Sequence, residues 1–379
     1  SGLTTLSCSN NQLKSLPTLP SGLTKLSSSS NQLTSLPALP SGLTTLNCSN
    51  NQLTSLPTLP SAIQEIYASG NKFTTLSVTG KTSLTYLNVS SNTSLITLYC
   101  NDNALDDLYY SGCTSLTTLD CYSNRLTSLS ALPAGVTTLR CYSNRLMSLP
   151  TLPSTIEKIS AQNNKFTTLS ITNKPSLTNL NVNENTSLTT LYCNNNALTA
   201  LSYSGCTTLT TLNCSENRLT SLPALPSGLT TLYCNSNKLT SLPSLQGCNS
   251  LNKLFCERNQ IKSSEMTTLV NSLPNNTAYS SHILRVLYNS GEGNEITAGQ
   301  VAIARSKNWV PYKYNGSVWV EIATDPCDVD GNGEIDVTDL NIVINVALGN
   351  ATNDKADVTG EGDVDVSDIN AVINAVLNK

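Results

Sequence analysis

The stretch LTTLSC (Leu3–Cys8) alternates apolar and polar positions. In a short strand this puts Leu3, Leu6 and Cys8 on one face and Thr5, Ser7 and Ser9 on the other. The stretch recurs from Leu23, Leu43 and Ile63, then from Leu95, Leu116, Val136, Ile156, Leu188, Leu209, Leu229 and Leu251, mostly 20 or 21 residues apart. One such strand cannot bury its apolar edge alone, so successive units must stack around a shared core. An asparagine follows each strand: Asn11, Asn31, Asn51, Asn71, Asn103, Asn124, Asn144, Asn164, Asn196, Asn217, Asn237 and Asn259. A buried amide there satisfies backbone groups of its own coil and the next, which a tight turn would strand. Prolines such as Pro17 and Pro20 fix φ and remove donors, so the return side is expected to be extended and polyproline-like. The expected fold is a thin solenoid with parallel strands on a concave face. Two segments of 11 residues, Leu84–Ser94 and Leu177–Ser187, break the period. Each is either a truncated coil or half of an oversized one. A longer repeat overlies the short one: NKFTTLSVTG at Asn71 returns as NKFTTLSITN at Asn164, an offset of 93.

The pattern L-x-x-L-x-C-x-x-N-x-L-x-x-L-P resembles the leucine-rich repeat and covers residues 1–262. The LPTLPSG segments resemble the short repeats of bacterial leucine-rich repeat proteins, secreted effectors among them. The C-x-x-N variant and the L-x-x-L-N-V-x-x-N-T-S segments resemble Bacteroides-type surface proteins. The resemblance implies a leucine-rich repeat solenoid, an interaction function, and a secreted or cell-surface location. The first six residues, SGLTTL, are themselves a repeat fragment, so the chain starts in mid-pattern and the missing targeting segment says little.

Charged residues make up only 12% of the 379, against about 25% in ordinary soluble proteins. From Thr324 onward there are 12 acidic and 2 basic residues, a net of −10 within a chain whose net charge is −4. A compact acidic tail suggests cation binding. The body has no Lys/Arg cluster that would favour nucleic acid, and no apolar run reaches the roughly 18 residues of a membrane span. Of the 13 cysteines, nine (Cys8, Cys48, Cys100, Cys121, Cys141, Cys193, Cys214, Cys234, Cys256) share one slot and Cys113, Cys206 and Cys248 a second. Other units fill the first slot with Ser28, Ala68 or Ala161. The slot therefore takes a small, moderately apolar group, which a packed thiol supplies. Parallel Cβ vectors make a disulfide ladder the poorer alternative.

Most outward strand positions carry Thr, Ser or Asn. Tyr99, Asp120, Tyr122, Arg140 and Tyr142 differ, coming from three successive units, with Tyr192, Tyr233 and Phe255 extending the aromatic trail. Tyr and Arg carry much interface energy, so this is the candidate partner-binding face, for a protein or else for a glycan. The bland alternative is cross-strand stacking without a ligand. Catalysis finds no support: the one histidine, His282, reads as a strand residue, and neither paired carboxylates, a phosphate loop nor zinc spacing occurs. Effectors with LP-rich repeats add a large helical catalytic domain, for which this chain has no room.

Residues 263–323 read as an α/β cap. SSEMTTLVNSLP predicts a helix stopped by Pro274, and HILRVLY a strand. TAGQVAIARSKN predicts a helix N-capped by Thr297, and WVPYKY with SVWVEI a hairpin around Asn315–Gly316. Trp309 and Trp319 are expected in the cap core, since a solenoid end must be covered. In residues 324–379, DVDGNGEIDVTD places Asp328, Asp330, Asn332, Glu334 (through its carbonyl), Asp336 and Asp339 at calcium-loop positions 1, 3, 5, 7, 9 and 12, with Gly333 at the turn. A single helix follows, and the unit returns 29 residues later with Asp357, Thr359, Glu361, Asp363, Asp365 and Asp368. This duplication resembles a type I dockerin. The resemblance implies a small all-α domain, two Ca2+ sites, and docking of a cohesin read through Val337, Thr338, Val366 and Ser367. Thr359 and Glu361 depart from the pattern, so the second site is expected to be weaker.

Overall fold

The computed structural model describes residues 2–275, 282–288, 292–322, 327–329, 335–353, 355–360 and 362–377. It divides into two compact units, Ser1–Leu209 and Thr210–Lys379. The first is a parallel-strand solenoid of leucine-rich repeats. Strands β1 (Thr5–Ser7), β2 (Lys25–Ser27), β3 (Thr45–Asn47), β4 (Glu65–Tyr67), β6 (Tyr86–Asn88) and β8 (Asp107–Tyr109) pair in that order in one sheet. A second sheet runs through β5 (Thr75–Ser77), β7 (Thr97–Tyr99), β9 (Thr118–Asp120), β10 (Thr138–Arg140), β11 (Lys158–Ser160), β13 (Asn179–Asn181) and β15 (Ala200–Ser202). β12 (Thr168–Ser170) pairs with β14 (Thr190–Tyr192) apart from both. Between residues 65 and 120, then, each turn of the coil carries two strands, one on each side of a shared core.

This resolves the two 11-residue segments: each is the strand half of a turn whose return half has also become a strand. Proline position explains where this happens. In ordinary turns the return segment reads L-x-x-L-P, as at Leu13–Pro17, and proline removes the N–H that a ladder needs at that point. Where Ser77, Tyr109, Ser170 and Ser202 replace it, the segment forms β5, β8, β12 and β15. Ser130 also replaces it and yet forms no strand. The next turn there carries Pro150, so no partner strand is offered on that side.

The core is the Leu, Ile, Val and Cys slots. Leu46, Leu87, Leu119, Leu139 and Leu180 are at most 1% exposed, each stabilising by about 1.5–3 kcal/mol through burial. The asparagines form ladders. Asn144 Nδ2 donates to the carbonyls of Cys121 (3.0 Å) and Cys141 (3.1 Å), while its Oδ1 accepts from Leu126 N–H (3.0 Å). Asn92 and Asn185, outside the expected series, are full members: Asn92 Nδ2 reaches Ala68 and Val89 carbonyls, and Asn185 those of Ala161 and Val182. The residue before each ladder asparagine sits at positive φ, as at Ser91 (60°), Ser143 (53°) and Glu184 (58°), which turns the chain out of the strand. The repeat cysteines are largely buried, with thiols in packing contact, and no disulfide joins cysteines among the described residues.

The second unit holds β16 (Thr211–Asn213), β17 (Thr231–Tyr233) and β18 (Lys253–Phe255), then α1 (Ser263–Ser272), β19 (His282–Leu287), α2 (Ala298–Ser306), β20 (Trp309–Tyr314) and β21 (Trp319–Glu321). β19 and β20 continue the parallel sheet and β21 closes it antiparallel. Thr297 caps α2 in a reciprocal box with Gln300. Asn294 extends the asparagine ladder into this region, donating to Cys256 and Val286 carbonyls. Trp309 is fully buried and donates to the Pro274 carbonyl, whereas Trp319 is only half-buried, so the expectation of two core tryptophans holds for one. Two further helices, α3 (Val337–Ala347) and α4 (Val366–Leu377), pack around Val329, Val343, Ala356 and Val372.

Candidate functional site

The second sheet brings five of the chosen residues together. Tyr99, Asp120 and Arg140 occupy the same register position on β7, β9 and β10. Tyr122 and Tyr142 stand two residues further along, their rings stacked at 4.3 Å and 7°. Asp120 is 6% exposed; its Oδ2 accepts from Arg140 Nη1 at 3.2 Å, while Oδ1 has no hydrogen-bond partner in the structure. Burial pushes the Asp120 carboxyl up and Asp102 adds to this, against the pull of Arg140. Burial, a hydrogen bond with Tyr122 and the nearby carboxylates of Asp120 and Asp102 push the Tyr142 phenol up to about 12. The patch thus offers neutral phenols, a half-exposed guanidinium and a carboxylate oxygen awaiting a donor.

The rest of the aromatic trail lies elsewhere. Tyr192 is on β14, opposite Ser170 of β12. In the second unit Tyr233 stacks on Phe255 at 4.7 Å, and Arg285 lies 4.6 Å from the Phe255 ring and 4.5 Å from Trp319. That stack closes on itself. The physical reason is the half-turn shift: equal residues 93 apart fall on opposite sides of the coil. The same shift hid three tyrosines that sequence reasoning missed. Tyr67, Tyr86 and Tyr109 lie on β4, β6 and β8, with ring centroids 4.7 and 5.3 Å apart. A spacing of 10 to 11 residues between L-x-x-L motifs, in place of 20, was the signal that would have grouped them.

Two cavities of about 410 and 390 Å3 open beside β12 and β5, lined by Ser, Thr and aliphatic residues. Lys174 and Lys81 close them by donating to the carbonyls of Leu152 and Leu59. One lysine among hydroxyls and methyls supplies no acid–base pair. His282 is buried beneath Trp309, its Nδ1 3.1 Å from the Asn308 carbonyl.

In the tail, Asp330, Asn332, Glu334 and Glu361 lie outside the described residues. The others form two matching sets. Asp339 and Asp368 are fully buried and brace loop to helix: Asp339 accepts from the N–H of Val329 and Asp336, Asp368 from those of Thr359 and Asp365. Burial works to raise the Asp368 carboxyl, but these hydrogen bonds and that of the Thr359 hydroxyl bring it below its ordinary value. Asp336 and Asp365 cap α3 and α4 through Thr338 and Ser367 N–H. The Asp357 carboxylate accepts from Gly360 and Gly362 N–H at 2.7 and 2.8 Å. Gly362 sits at φ 102°, a conformation side chains rarely adopt, so the loop can wrap its first carboxylate. Carboxylates, a hydroxyl and a glycine-turned loop are a hard-oxygen donor set and fit calcium.

Residues 326–377 match the family described as the dockerin type I domain. Residues 93–134 and 186–227 match leucine-rich repeats in two copies, and residues 42–64 a single leucine-rich repeat. No curated protein matches the chain. Among solved structures, the chain is similar to YopM from Yersinia enterocolitica WA-314, at 26% identity over 82% of this chain and 64% of that one, with a TM-score of 0.28. It is similar to YopM of Yersinia pestis, a leucine-rich effector protein, at 30% identity over 68% and 76%, TM-score 0.24. It is also similar to the functional domain of InlJ from Listeria monocytogenes, described as including a cysteine ladder, at 26% identity over 75% and 69%, TM-score 0.29.

Proposed function

Because the chain is a leucine-rich repeat protein with a C-terminal dockerin type I domain, we propose that it is a non-catalytic, secreted or surface-displayed interaction scaffold with three segments, 1–262, 263–323 and 324–379. The repeats hold a protein partner against Tyr99, Asp120, Tyr122, Arg140 and Tyr142. The dockerin attaches the assembly to a cohesin-bearing protein.

The observation that carries the first half is Asp120: a carboxylate oxygen buried beneath a solvent-facing patch and left without a donor. Leaving such a group unsatisfied costs about 1–3 kcal/mol, which a donor from a partner would recover. The stacked rings of Tyr122 and Tyr142 cover each other's faces. A sugar platform needs open ring faces, so the geometry supports a protein over a glycan. The second half rests on the tail. Val337 and Val366 begin the two helices and are 63% and 67% exposed, beside Thr338 and Ser367. Two near-identical apolar–hydroxyl pairs fit a cohesin that docks in either orientation. Calcium would be held by Asp328, Asp330, Asn332, Glu334, Asp336 and Asp339 in one loop, and by Asp357, Thr359, Glu361, Asp363, Asp365 and Asp368 in the other. Bound, it neutralises the acidic tail.

The test is co-purification of extracellular proteins on the immobilised full chain, with and without chelator. A cohesin-bearing protein released by chelator, and a second partner lost from a Tyr122→Ala/Tyr142→Ala variant, are expected. Retention of a defined polysaccharide that this variant loses would replace the protein partner with a glycan.

A further inference from the structure

The duplicated block contains its own control experiment. Strands β4, β6 and β8 and their copies β11, β13 and β15 share register, turn geometry and buried residues: Ile66, Leu87 and Leu108 answer to Ile159, Leu180 and Leu201. Their outward positions do not match. Tyr67, Tyr86 and Tyr109 face solvent in the first copy, where Ser160, Asn179 and Ser202 stand in the second. Glu65 and Asp107 flank the tyrosines, where the second copy has Lys158 and Ala200. The same backbone therefore folds around the same core without one of these aromatics or acids. Cross-strand stacking is not what they are needed for.

The five side chains form a continuous surface. Glu65, Tyr86 and Asp107 share one register row; Tyr67 and Tyr109 flank Asn88 in the other. The rings are tilted against one another by 35° and 41°, with Tyr109 41% exposed. The Tyr67 hydroxyl donates to Glu65 at 3.4 Å, and burial, with the Glu65 charge next, raises its pKa, so the phenol stays neutral. No lysine or arginine occupies an outward position of these three strands. Inclined electron-rich ring faces between two carboxylates are the surroundings that a desolvated ammonium or guanidinium prefers.

We propose that this face is a second docking surface, distinct from the Tyr99–Tyr142 patch on the other side of the same turns, and that its occupant is a protein segment presenting lysine or arginine side chains. Charge complementarity selects that occupant, and the copy that lacks the acids and rings marks the surface as specialised. The repeats are then bivalent: the half-turn shift puts one recognition face on each side of the coil.

The test uses the full chain in saturating calcium and a fluorescein-labelled peptide of alternating lysine and glycine, read by anisotropy. The variant Tyr67→Ser/Tyr86→Asn/Tyr109→Ser installs the second copy's own residues, so it should fold, with a melting temperature close to that of the parent. It should bind the peptide at least about tenfold more weakly. Glu65→Lys alone should weaken binding too, while Tyr122→Ala/Tyr142→Ala should not. Equal peptide affinity of parent and triple variant overturns the proposal. So does loss of binding to a plant cell-wall oligosaccharide in place of the peptide, or a collapse in melting temperature, which would make the tyrosines structural.

Discussion

Replacing Asn144 with alanine tests the ladder that joins the turns. Asn144 is 6% exposed and serves three backbone groups: the Leu126 N–H and the carbonyls of Cys121 and Cys141. The two carbonyls each keep another amide, from Asn124 and Asn164, so their loss is partial. The Leu126 N–H has no second acceptor and lies in a fully buried residue. An orphaned buried donor costs about 1–3 kcal/mol, and two weakened carbonyls add about 1 more, giving about 2–4 kcal/mol. Asn11 is the internal control. It is exposed at the first turn and donates to Cys8 and Ser9 carbonyls, with no preceding coil for its oxygen to serve. Asn11→Ala should therefore cost well under about 1 kcal/mol. Urea denaturation of the full chain in calcium, followed by circular dichroism, reads both as midpoint shifts. Asn144→Asp adds a sign. It keeps the acceptor but turns a carboxylate oxygen toward two carbonyls, so it should be at least as damaging at neutral pH and recover as pH falls and the acid becomes a donor. Equal effects at Asn144 and Asn11, or an Asn144→Asp variant that gains stability with rising pH, would refute the reasoning.

Thiol titration in denaturant without reductant should count all 13 cysteines as thiols, and in the native state the half-buried Cys8 and Cys327 should react first. Burial pushes Cys48, Cys141 and Cys214 up to about 12 from an ordinary value of 9.0, so their contribution is intact below 9 and lost as pH rises toward 12; a stability plateau across that range would contradict it. Burial likewise pushes Glu257, which faces Arg285, Arg258 and Glu292, up to about 7 from 4.5. Its ionisation thus costs stability between pH 4.5 and 7, and Glu257→Gln should stabilise by about 2–3 kcal/mol at pH 8 but little at pH 4, measured by thermal melts at both. Residues 324–379 alone should gain helical dichroism on adding calcium and lose it with chelator, with Asp328→Ala more damaging than Asp357→Ala; two loops of equal affinity would count against the ligand reading.

The repeat unit was legible because its slots answer to single physical demands. Leucines three apart, a small apolar group at Cys48 or Ala68, and an amide at Asn71 each do one thing, and alternation reports it. The dockerin was legible for the same reason, since ligand spacing in Asp328–Asp339 is stoichiometry written along the chain. What alternation could not report was the side of the coil. A return segment becomes a strand when Pro17 or Pro37 gives way to Ser77 or Ser170, a single-residue change that leaves the leucines in place. Tyr192 and Tyr233 were grouped with Tyr99 on a period that silently slips by half a turn.

The slip also explains why a duplication of 93 residues diversified as it did. From β4 to β5 is half a turn, and from β5 to β11, through β7, β9 and β10, is four more. The block is thus four and a half turns long, and each element and its copy face opposite ways. A block of whole turns would have stacked Tyr67, Tyr86 and Tyr109 above a second set on one continuous sheet, with the same neighbours and the same solvent. Half a turn gives each copy a surface of its own while the core, which has no preferred side, stays shared. Ile66 and Ile159 can remain the same residue because burial is symmetric about the coil axis. Tyr67 and Ser160 can differ because what lies outside is not.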